Sequence, residues 1–381
     1  MTKRLLLLGG GHAHVHVLQA LAREPLAGAE VALVTPFARQ LYSGMVPGLV
    51  AGHYRVDACA IALQPLAAAA RVHCIEGSAT HLDTMARRVT LADGRVAEYD
   101  VLSLDTGAVM DRERLVGARE HGLFVRPIEH FVQLLDSLFD LASRRVLDVV
   151  VVGGGAAGVE LALALQHRLA GRGEERARVA LVTGGPEPLA GYPRGVMVRA
   201  ARALARHKVT VFRDTCAALQ AGAVVLGSGA RLACDAPILA TGAEAPSWLA
   251  GSGLARDERG FVITGATLQS ASHAEVFAVG DVASRADAPH PKSGVYAVRA
   301  GPPLALNLRR FVGGGPLQPY RPQQRTLNLI SCGERRAIVA WGSLALQGRW
   351  AWWWKDRIDR AFVARYSQPA QPAASPLTRS A

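Results

Sequence analysis

Cysteines are few in this sequence, and no hydrophobic run is long enough to cross a membrane. The five cysteines are an odd number and form no C-x-x-C pair, so the sequence predicts neither a disulfide framework nor a zinc site. No apolar run approaches the ~20 residues of a spanning helix, and the four leucines after Lys3-Arg4 are too few for a signal peptide. We therefore predict a cytoplasmic protein, with attachment to the inner face of the cell membrane as the alternative.

Acidic residues are scarce relative to basic ones. The chain has 43 lysines and arginines against 31 aspartates and glutamates, which gives a net charge of +12 and a pI near 10.1. This balance favours anionic partners such as nucleotides or acidic lipid. Nucleic acid is not predicted as a partner, because the arginines are scattered and no recognised binding motif accompanies them. The 381 residues suffice for two domains.

A glycine motif between a strand and a helix is the most informative feature of the chain. Val149-Val150-Val151-Val152 predicts a strand buried on both faces of a parallel sheet, and an Ala/Leu-rich helix follows it. Between them Gly153, Gly155 and Gly158 form G-x-G-x-x-G, which permits a tight turn, the approach of a pyrophosphate and close packing of helix on strand. The motif predicts a dinucleotide site where the helix begins, near Ala156.

The same design occurs at the start of the chain. Lys3–Leu8 predicts a strand, and Gly9-Gly10-Gly11-His12-Ala13-His14 predicts the turn into a helix, with His14 where the third glycine belongs. We expect this bulky side chain to hold helix and strand slightly apart. His12 and His16 share a helix face, but no carboxylate or cysteine lies close in sequence, so no metal site is predicted.

Each glycine motif is followed by a small sheet and then by a strand that ends in Thr-Gly. Val101–Gly107 is the first of these strands and Pro237–Gly242 the second. The duplication predicts an α/β protein with two Rossmann-like dinucleotide-binding domains and a small C-terminal segment. The predicted boundaries are 1–110 with 266–312 for the first domain, 111–265 for the second, 313–366 for a β segment with an amphipathic helix, and 367–381 for a disordered tail.

Three further stretches predict ligand contacts at the carboxyl ends of strands. The strand Val31–Thr35 ends in threonine, where such domains usually carry an acidic residue for the ribose, so that contact must come from the hydroxyl or from a group such as Arg39. Tyr42–Gly48 is a compact Gly/Pro loop of the kind that often lines a ligand. Val276–Val282 contains Gly280-Asp281, whose carboxylate can accept hydrogen bonds from a bound sugar alcohol.

With both glycine loops, both Thr-Gly strands and Phe277–Asp281 in this order, residues 3–366 resemble the FAD-dependent pyridine nucleotide-disulfide oxidoreductase superfamily. Within it the chain is most similar to type II NADH dehydrogenases and sulfide:quinone oxidoreductases. The segments Leu41–Gly48, Pro291–Arg299 and Trp354–Arg360 look more narrowly like the flavoprotein module that some bacteria fuse to selenide, water dikinase. The dikinase itself is absent from this sequence.

The resemblance implies FAD at the first glycine loop and NAD(P)H, as substrate, at the second. The implied FAD contacts are Gly9, Gly11, His12, Thr35, Arg39, Tyr42, Ala79, Thr106, Gly107, Gly280, Asp281 and Val295, and the implied nicotinamide-dinucleotide contacts are Gly153, Gly155, Ala156, Gly158, Thr241 and Gly242. The implied catalytic residues are Glu160, near the nicotinamide, with Lys292 and Tyr296 beside the isoalloxazine ring. A helix that starts after Ser293 would stabilise negative charge on the reduced ring. Glu160 has a second interpretation, as a first-turn glutamate that stabilises its own helix.

Three departures from the family bear on the electron acceptor. Gln40–Gly52 contains no cysteine, so the redox-active pair of the disulfide reductases is missing. Cys332 and Cys59 are the candidates for the flavin-proximal cysteines of sulfide:quinone enzymes, although each is better interpreted as a small buried hydrophobe. Tyr296 and Ala300 stand where type II dehydrogenases place the glutamines of the quinone pocket.

The sequence therefore predicts an FAD-dependent NAD(P)H:acceptor oxidoreductase that passes electrons to a small-molecule acceptor, a quinone, without a cysteine relay. Two alternatives stay open. One is a chalcogen acceptor, sulfur or selenium, with Cys332 taking part, and the other is a flavin-bearing protein that signals its redox state to a partner. The choice between NADH and NADPH also stays open, because Thr183-Gly184-Gly185 replaces the acidic residue at the strand end.

Tryptophans crowd the carboxyl-terminal segment Arg349–Tyr366. At helical spacing the predicted apolar stripe is Trp350, Trp354, Ile358, Ala361 and Phe362, with Lys355, Asp356, Asp359 and Arg360 largely outside it. Tryptophan favours the boundary between lipid and water, and basic flanks favour anionic headgroups. The stripe predicts a peripheral anchor on an anionic membrane surface, with packing on the FAD domain or across a homodimer as the alternative.

Overall fold

The computed structural model describes residues 2–170 and 177–367. Within these ranges the strands are β1 Lys3–Leu8, β2 Ala29–Thr35, β3 Arg39–Leu41, β4 Ala60–Ala62, β5 His73–Glu76, β6 Ala79–Asp83, β7 Arg88–Leu91, β8 Val96–Glu98, β9 Val101–Leu104, β10 Leu123–Phe124, β11 Leu147–Val152, β12 Ala177–Val182, β13 Thr210–Phe212, β14 Cys216–Gln220, β15 Ala223–Leu226, β16 Arg231–Ala233, β17 Ala236–Leu239, β18 Val262–Thr264, β19 Val276–Ala278, β20 Ala283–Arg285, β21 Leu327–Cys332, β22 Glu334–Trp341 and β23 Leu344–Gly348. The α-helices there are α1 His12–Arg23, α2 Val46–Val50, α3 Leu63–Ala69, α4 Ala118–His121, α5 Ile128–Arg144, α6 Ala156–Ala170, α7 Arg194–Arg206, α8 Gly294–Val312 and α9 Arg349–Ser367.

The first sheet is parallel, with the strand order β19-β9-β1-β2-β5. Leu8, the last residue of β1, pairs with Leu104 on one side and Val34 on the other, so three strands end at one edge. Leu5 and Leu7 of β1 pack in the core that includes α1 and α8, whereas Leu6 and Leu8 pack toward the antiparallel sheet β6-β7-β8. The strand is buried on both faces, which explains its unbroken run of leucines.

The second sheet repeats the first, with the order β10-β17-β11-β12-β13. Val152 pairs with Leu239 and Val182, in the same relation as Leu8 to its neighbours. Val150 and Val152 pack with Leu219 and other residues of the small sheet β14-β15-β16, so the layers also repeat. The predicted α/β class with two Rossmann-like units is confirmed.

The first glycine of each loop holds a backbone conformation and a contact that other residues would disturb. Gly9 has φ +96° and Gly153 has φ +136°. A Cβ on Gly9 would lie 2.5 Å from the carbonyl oxygen of Asp105, and one on Gly153 would overlap the carbonyl of Ala240. Each glycine therefore lets its loop lie directly against the end of the neighbouring Thr-Gly strand.

The third glycine position differs between the two loops. A Cβ on Gly158 would overlap the carbonyl oxygen of Gly153, which leaves no room for a side chain. In the first loop His14 is fully buried, with Nδ1 2.6 Å from the carbonyl oxygen of Gly9 and Nε2 2.8 Å from Ser103 Oγ. In the first loop, two hydrogen bonds thus accommodate the imidazole of His14. In the second loop, the helix at Gly158 packs directly on the backbone of Gly153.

The segment that follows the second sheet, around residues 249–262, packs mainly against the first sheet. Leu249, Leu254 and Val262 share a hydrophobic cluster with Leu6 and Leu102 of the first sheet. The predicted boundary at residue 265 assigns these three residues to the second domain, but their side chains lie in the core of the first. Burial of large apolar side chains against the sheet, rather than position along the chain, decides where they belong.

The C-terminal segment forms a three-stranded antiparallel sheet, β21-β22-β23, with α9 packed against it. The β segment and the helix were predicted, but β23 was not. Residues 368–381, nearly all of the predicted disordered tail, lie outside the described residues, and Ser367 ends α9. In the described ranges we find no helix long and apolar enough to span a membrane.

The buried face of α9 differs from the predicted stripe. Trp350, Trp354 and Ile358 are 51%, 42% and 40% exposed, whereas Lys355 and Asp359 are only 8% and 4% exposed. The prediction that these two charges lie on the outer face is wrong. They can be buried because Lys355 Nζ and Asp359 Oδ2 form an ion pair at 2.6 Å and the same ammonium donates to the carbonyl oxygen of Gly44.

Candidate active site

A cleft of about 1490 Å³ lies at the carboxyl ends of the second sheet and reaches the C-terminal segment and the start of α8. The predicted site residues that line it are Tyr42, Gly153, Gly155, Ala156, Glu160, Thr241, Gly242, Lys292, Val295 and Tyr296. The predicted site residues outside its lining are Gly9, Gly11, His12, Thr35, Arg39, Ala79, Thr106, Gly107, Gly158, Gly280 and Asp281. Most of the second group surrounds the first glycine loop, and Arg126 connects this group to the cleft.

Each glycine loop presents three consecutive backbone N–H groups that have no partner in the described part of the chain. They belong to Gly10, Gly11 and His12 in the first loop and to Gly154, Gly155 and Ala156 in the second. Free amides where a helix begins are suited to bind the oxygens of a pyrophosphate. The two loops therefore fit two dinucleotides.

The surroundings of the first loop also fit a bound dinucleotide. Thr106 Oγ1 is buried without a hydrogen-bond partner, and a Cβ on Gly107 would meet nothing within 4 Å. Thr35 ends β2 beside the loop, with its hydroxyl 3.3 Å from the position of a Cβ on Gly10. Ala79 begins β6, three residues after the end of β5. A hydroxyl and open space thus remain available next to the free amides.

Asp105 is a buried acid beneath the first loop that the sequence analysis did not identify. Its Oδ2 accepts hydrogen bonds from the N–H groups of Ala13, at 2.8 Å, and His14, at 2.9 Å. A Cβ on Gly11 or Gly280 would approach this carboxyl group too closely, so both glycines are needed around it. Burial raises the pKa of Asp105 to about 7, against the two hydrogen bonds that lower it. Its position in the Thr-Gly strand, where the other repeat has alanine, was the available signal.

Asp281 forms an ion pair next to the same loop. Arg126 Nη1 donates to Asp281 Oδ2 at 2.9 Å, and Arg126 also lines the cleft. His12 lies nearby with its ring 5.4 Å from that of Tyr42. Burial lowers the pKa of His12 to about 4, with Arg126 acting in the same direction, so its imidazole is neutral at neutral pH. The first loop therefore faces one charged carboxylate–guanidinium pair and a neutral histidine.

Glu160 lies on α6 inside the cleft. It is the fifth residue of the helix, beyond the first turn, which removes the interpretation as a first-turn glutamate. Oε1 accepts a hydrogen bond of 2.7 Å from the N–H of Ser331. Burial raises the pKa of Glu160 to about 7, although the positive charge of Lys355 opposes this shift. A carboxyl group with this pKa can hold or release a proton near neutral pH.

Lys292 and Tyr296 lie where α8 begins. The ammonium of Lys292 donates to the carbonyl oxygen of Ala283 and sits 3.8 Å from the centre of the Phe261 ring. Burial lowers the pKa of Lys292 to about 8. Tyr296 stacks on His290 with the ring centres 4.0 Å apart. Ser293 is the N-cap residue, as predicted, but its side chain makes no capping hydrogen bond.

Lys355 and Asp359 bring α9 to the cleft and were not predicted as site residues. Both line the cleft, and their ion pair touches the Gly44 carbonyl in the Gly/Pro loop. Phe362, one turn further along α9, stacks on Tyr42 at 4.3 Å between ring centres. Burial raises the pKa of Asp359, and Lys355 opposes that shift. Their i,i+4 spacing was the available signal, but it is equally typical of exposed pairs.

The two candidate cysteines are closed off from the cleft. Cys59 and Cys332 are fully buried, and burial raises the pKa of each thiol to about 12. The Sγ of Cys332 accepts a long hydrogen bond from Gln347. A thiol with this pKa stays protonated and is a poor nucleophile at neutral pH. The interpretation of both as small buried hydrophobes is confirmed.

Comparison with known proteins agrees with this geometry. The family described as pyridine nucleotide-disulphide oxidoreductase matches residues 3–301. Demethylphylloquinone reductase NdbB of a Synechocystis species is 26% identical over 91% of this chain and 88% of its own length. The sulfide:quinone oxidoreductase of Aquifex aeolicus superposes with a TM-score of 0.80 at 19% identity, over 97% of this chain and 93% of the other. NDH2 of Plasmodium falciparum superposes with a TM-score of 0.81 at 11% identity, over 96% and 98%. At these identities the two structures establish the fold alone.

Proposed function

This chain belongs to the pyridine nucleotide-disulphide oxidoreductase family, and on that premise we propose that it oxidises NAD(P)H and passes the electrons to a quinone. Family membership makes it an FAD-dependent oxidoreductase with NAD(P)H as electron donor. The chemistry that bound FAD would supply is acceptance of hydride from the nicotinamide and release of the electrons to the second acceptor. The observation that carries the proposal is the presence of two glycine loops, each with three free amides, beside one large cleft.

The second loop binds the nicotinamide dinucleotide in this proposal. Gly154, Gly155 and Ala156 donate their N–H groups to its pyrophosphate, and Gly155 leaves the approach open because a Cβ there would meet nothing within 4 Å. Glu160 then lies one turn into the helix and positions the nicotinamide end. The first loop, with Asp281 and the Thr106 hydroxyl, holds FAD.

The acceptor assignment draws on the chemistry of the cleft and on the relatives. NdbB is named for reduction of a quinone. Quinone reduction consumes protons, and Glu160, with a pKa of about 7, is a group in the cleft that can supply one. The positive charge of Lys355 lowers the pKa of Glu160, and it therefore stabilises the carboxylate that remains after the proton has left. A chalcogen acceptor handled through Cys332 is disfavoured, because that thiol is buried and protonated.

We test this proposal with anaerobic flavin reduction. FAD-loaded protein is mixed with NADH or NADPH, and the loss of flavin absorbance is followed before and after addition of a short-chain quinone. We expect one of the nucleotides to bleach the flavin and the quinone to restore the colour. Bleaching without reoxidation by quinone would overturn the acceptor, whereas no bleaching by either nucleotide would overturn the dehydrogenase itself.

We also propose that the protein works on a membrane surface. The large apolar side chains that are exposed at the end of the β22-β23 hairpin and on α9 form what we call the tryptophan patch: Trp341, Leu344, Leu346, Trp350, Trp353, Trp354 and Ile358. Contiguous apolar side chains mark interaction sites, and the exposed Trp350, Trp354 and Ile358 share one side of α9 because they recur at every fourth residue. Tryptophan favours the lipid–water interface. A quinone dissolved in lipid would then reach the cleft beside α9.

Substitution of the patch tests this placement better than removal of α9. Truncation at residue 349 would also remove Trp352 and Phe362, which are buried, so loss of solubility would follow whatever the patch does. The variant W350S/W353S/W354S is therefore compared with M85S/V116S/V146S, which changes three exposed apolar residues elsewhere. We expect only the first to lose sedimentation with anionic vesicles. Equal binding by both variants would contradict the membrane assignment.

A further inference from the structure

A second cavity, of about 390 Å³, lies between α8, the carboxyl end of α9 and the chain around Tyr320. Arg299, Arg321 and Arg365 line it, and its lining includes no aspartate or glutamate. None of the three arginines forms an ion pair with a carboxylate of residues 2–170 or 177–367. We call this cavity the arginine pocket. No carboxylate of the described residues pairs with the three guanidinium groups of this pocket.

The groups around the arginine pocket add more positive charge. Burial lowers the pKa of His16 to about 4, and Arg365 and Arg23 lower it further. Burial raises the pKa of Tyr320, and the positive charges of Arg285 and Arg299 lower it by a smaller amount. His16 is therefore neutral at neutral pH, and the charges that act on these two side chains come from arginines, apart from a smaller opposite effect of Tyr296 on Tyr320. A concave surface lined by one sign of charge concentrates ions of the opposite sign.

Hydrogen-bond donors without acceptors lie in the same place. Tyr320 Oη and Gln323 Nε2, from two residues that line the pocket, are buried and have no partner in the structure. Arg285, which is 5% exposed and 5.6 Å from the Tyr320 ring centre, is paired with Asp287 through Nε and Nη2, but its Nη1 is likewise without a partner in the described residues. Buried polar atoms nearly always have a hydrogen-bond partner. The missing partner here is an acceptor of hydrogen bonds.

We propose that the arginine pocket binds an organic phosphate. Guanidinium groups bind phosphate oxygens with paired hydrogen bonds, and Arg299, Arg321 and Arg365 supply three of them around the opening. The volume lies in the range of small-molecule sites, about 300–1,000 Å³, so it accommodates more than the ion. The body of the ligand packs against the rings of Tyr320 and Tyr366. A phospholipid headgroup and a free phosphorylated metabolite share this chemistry.

The proposal is tested with glycerol 3-phosphate and with vesicles. FAD-loaded wild type is compared with R299Q/R321Q/R365Q and with a charge-matched control, R71Q/R202Q/R231Q, whose exposed arginines line neither cavity. Melting temperature and flavin content establish that each variant is folded. Calorimetric titration with glycerol 3-phosphate forms the first arm, and sedimentation with phosphatidylglycerol or phosphatidylcholine vesicles the second.

We expect the wild type to bind one ligand per chain and the pocket variant to bind at least about ten-fold more weakly, from the loss of charged hydrogen bonds, while the control is unchanged. A difference in the glycerol 3-phosphate arm assigns a free phosphate, and a difference confined to phosphatidylglycerol vesicles assigns a headgroup. Equal losses in the pocket variant and the control in both arms, or no binding by the wild type, would overturn the site.

Discussion

Glu160→Gln tests a carboxyl group of the cleft whose pKa, raised by burial to about 7, lies near neutral pH. Burial raises the pKa of Glu160 to about 7, from 4.5 for an ordinary glutamate. Between pH 4.5 and 7 the folded protein holds a proton that the unfolded chain has lost, so the stability associated with Glu160 falls as the pH rises through this window and is constant above it. The shift corresponds to roughly 3 kcal/mol. Glutamine cannot ionise, so the variant lacks this pH dependence.

The assay is the difference in melting temperature between variant and wild type at pH 5 and pH 8. About 2.5 of the roughly 3 kcal/mol falls between pH 5 and pH 8, because part of the effect has already occurred at pH 5. With an unfolding entropy of about 2.1 cal/mol/K per residue, this amount corresponds to about 3 °C for the 381 residues unfolding together. We expect the variant to gain that much on the wild type between the two pH values, and the control Glu258→Gln, at an exposed glutamate outside the cleft, to show no comparable gain. Flavin reduction by the nucleotide should also lose its pH dependence near 7 in the Glu160→Gln protein. A melting difference that stays constant with pH would refute the environment assigned to this carboxyl group.

Two further predictions address the two dinucleotide sites. Gly155→Val places its side chain in open space, so the protein should fold and retain FAD but lose reduction by NADH and NADPH. Gly158→Ala is the comparison variant, because its Cβ meets the Gly153 carbonyl. It should lower the melting temperature, at a cost of about 1–3 kcal/mol in the free energy of unfolding. Normal reduction of the Gly155→Val flavin would contradict the placement of the nucleotide. Asp281→Ala removes a charged hydrogen-bond acceptor and should weaken FAD by about 1.5–3 kcal/mol, measured as the flavin-to-protein ratio after gel filtration; full occupancy with unchanged affinity would show that Asp281 does not contact the flavin.

The duplicated sheets could be predicted because their signals are local. Runs such as Leu5–Leu8 and Val149–Val152 are buried on both faces, and each leads into glycines whose spacing has a steric cause. The order of strands then follows from the repeated sequence of elements. The strand β19 was predicted, but its place at the edge of the first sheet was not, because the corresponding edge strand of the second sheet, β10, comes from a different point of its repeat.

The side of α9 that faces the core was not predictable from hydrophobicity. The rule that apolar residues turn inward failed because Lys355 and Asp359 neutralise each other and Lys355 donates to the carbonyl oxygen of Gly44, 311 positions away in the chain. Asp105 was missed for a related reason. Its role depends on the amides of Ala13 and His14, which only the folded sheet brings to it.

The contrast between the two glycine loops bears on how long each ligand stays. In the first loop, a Cβ on any of Gly9, Gly10 or Gly11 would lie too close to neighbouring atoms. Hydrogen bonds from the buried side chains of Asp105 and His14 also hold this loop to the end of the sheet. In the second loop Gly153 and Gly154 are enclosed in the same way, and the difference lies at Gly155, which faces open space. Two copies of one design have thus diverged in how closely the protein encloses the third residue of the glycine loop. We expect the enclosed copy to keep its ligand through many turnovers and the open copy to exchange its ligand within each one, as a resident cofactor and a consumed substrate require.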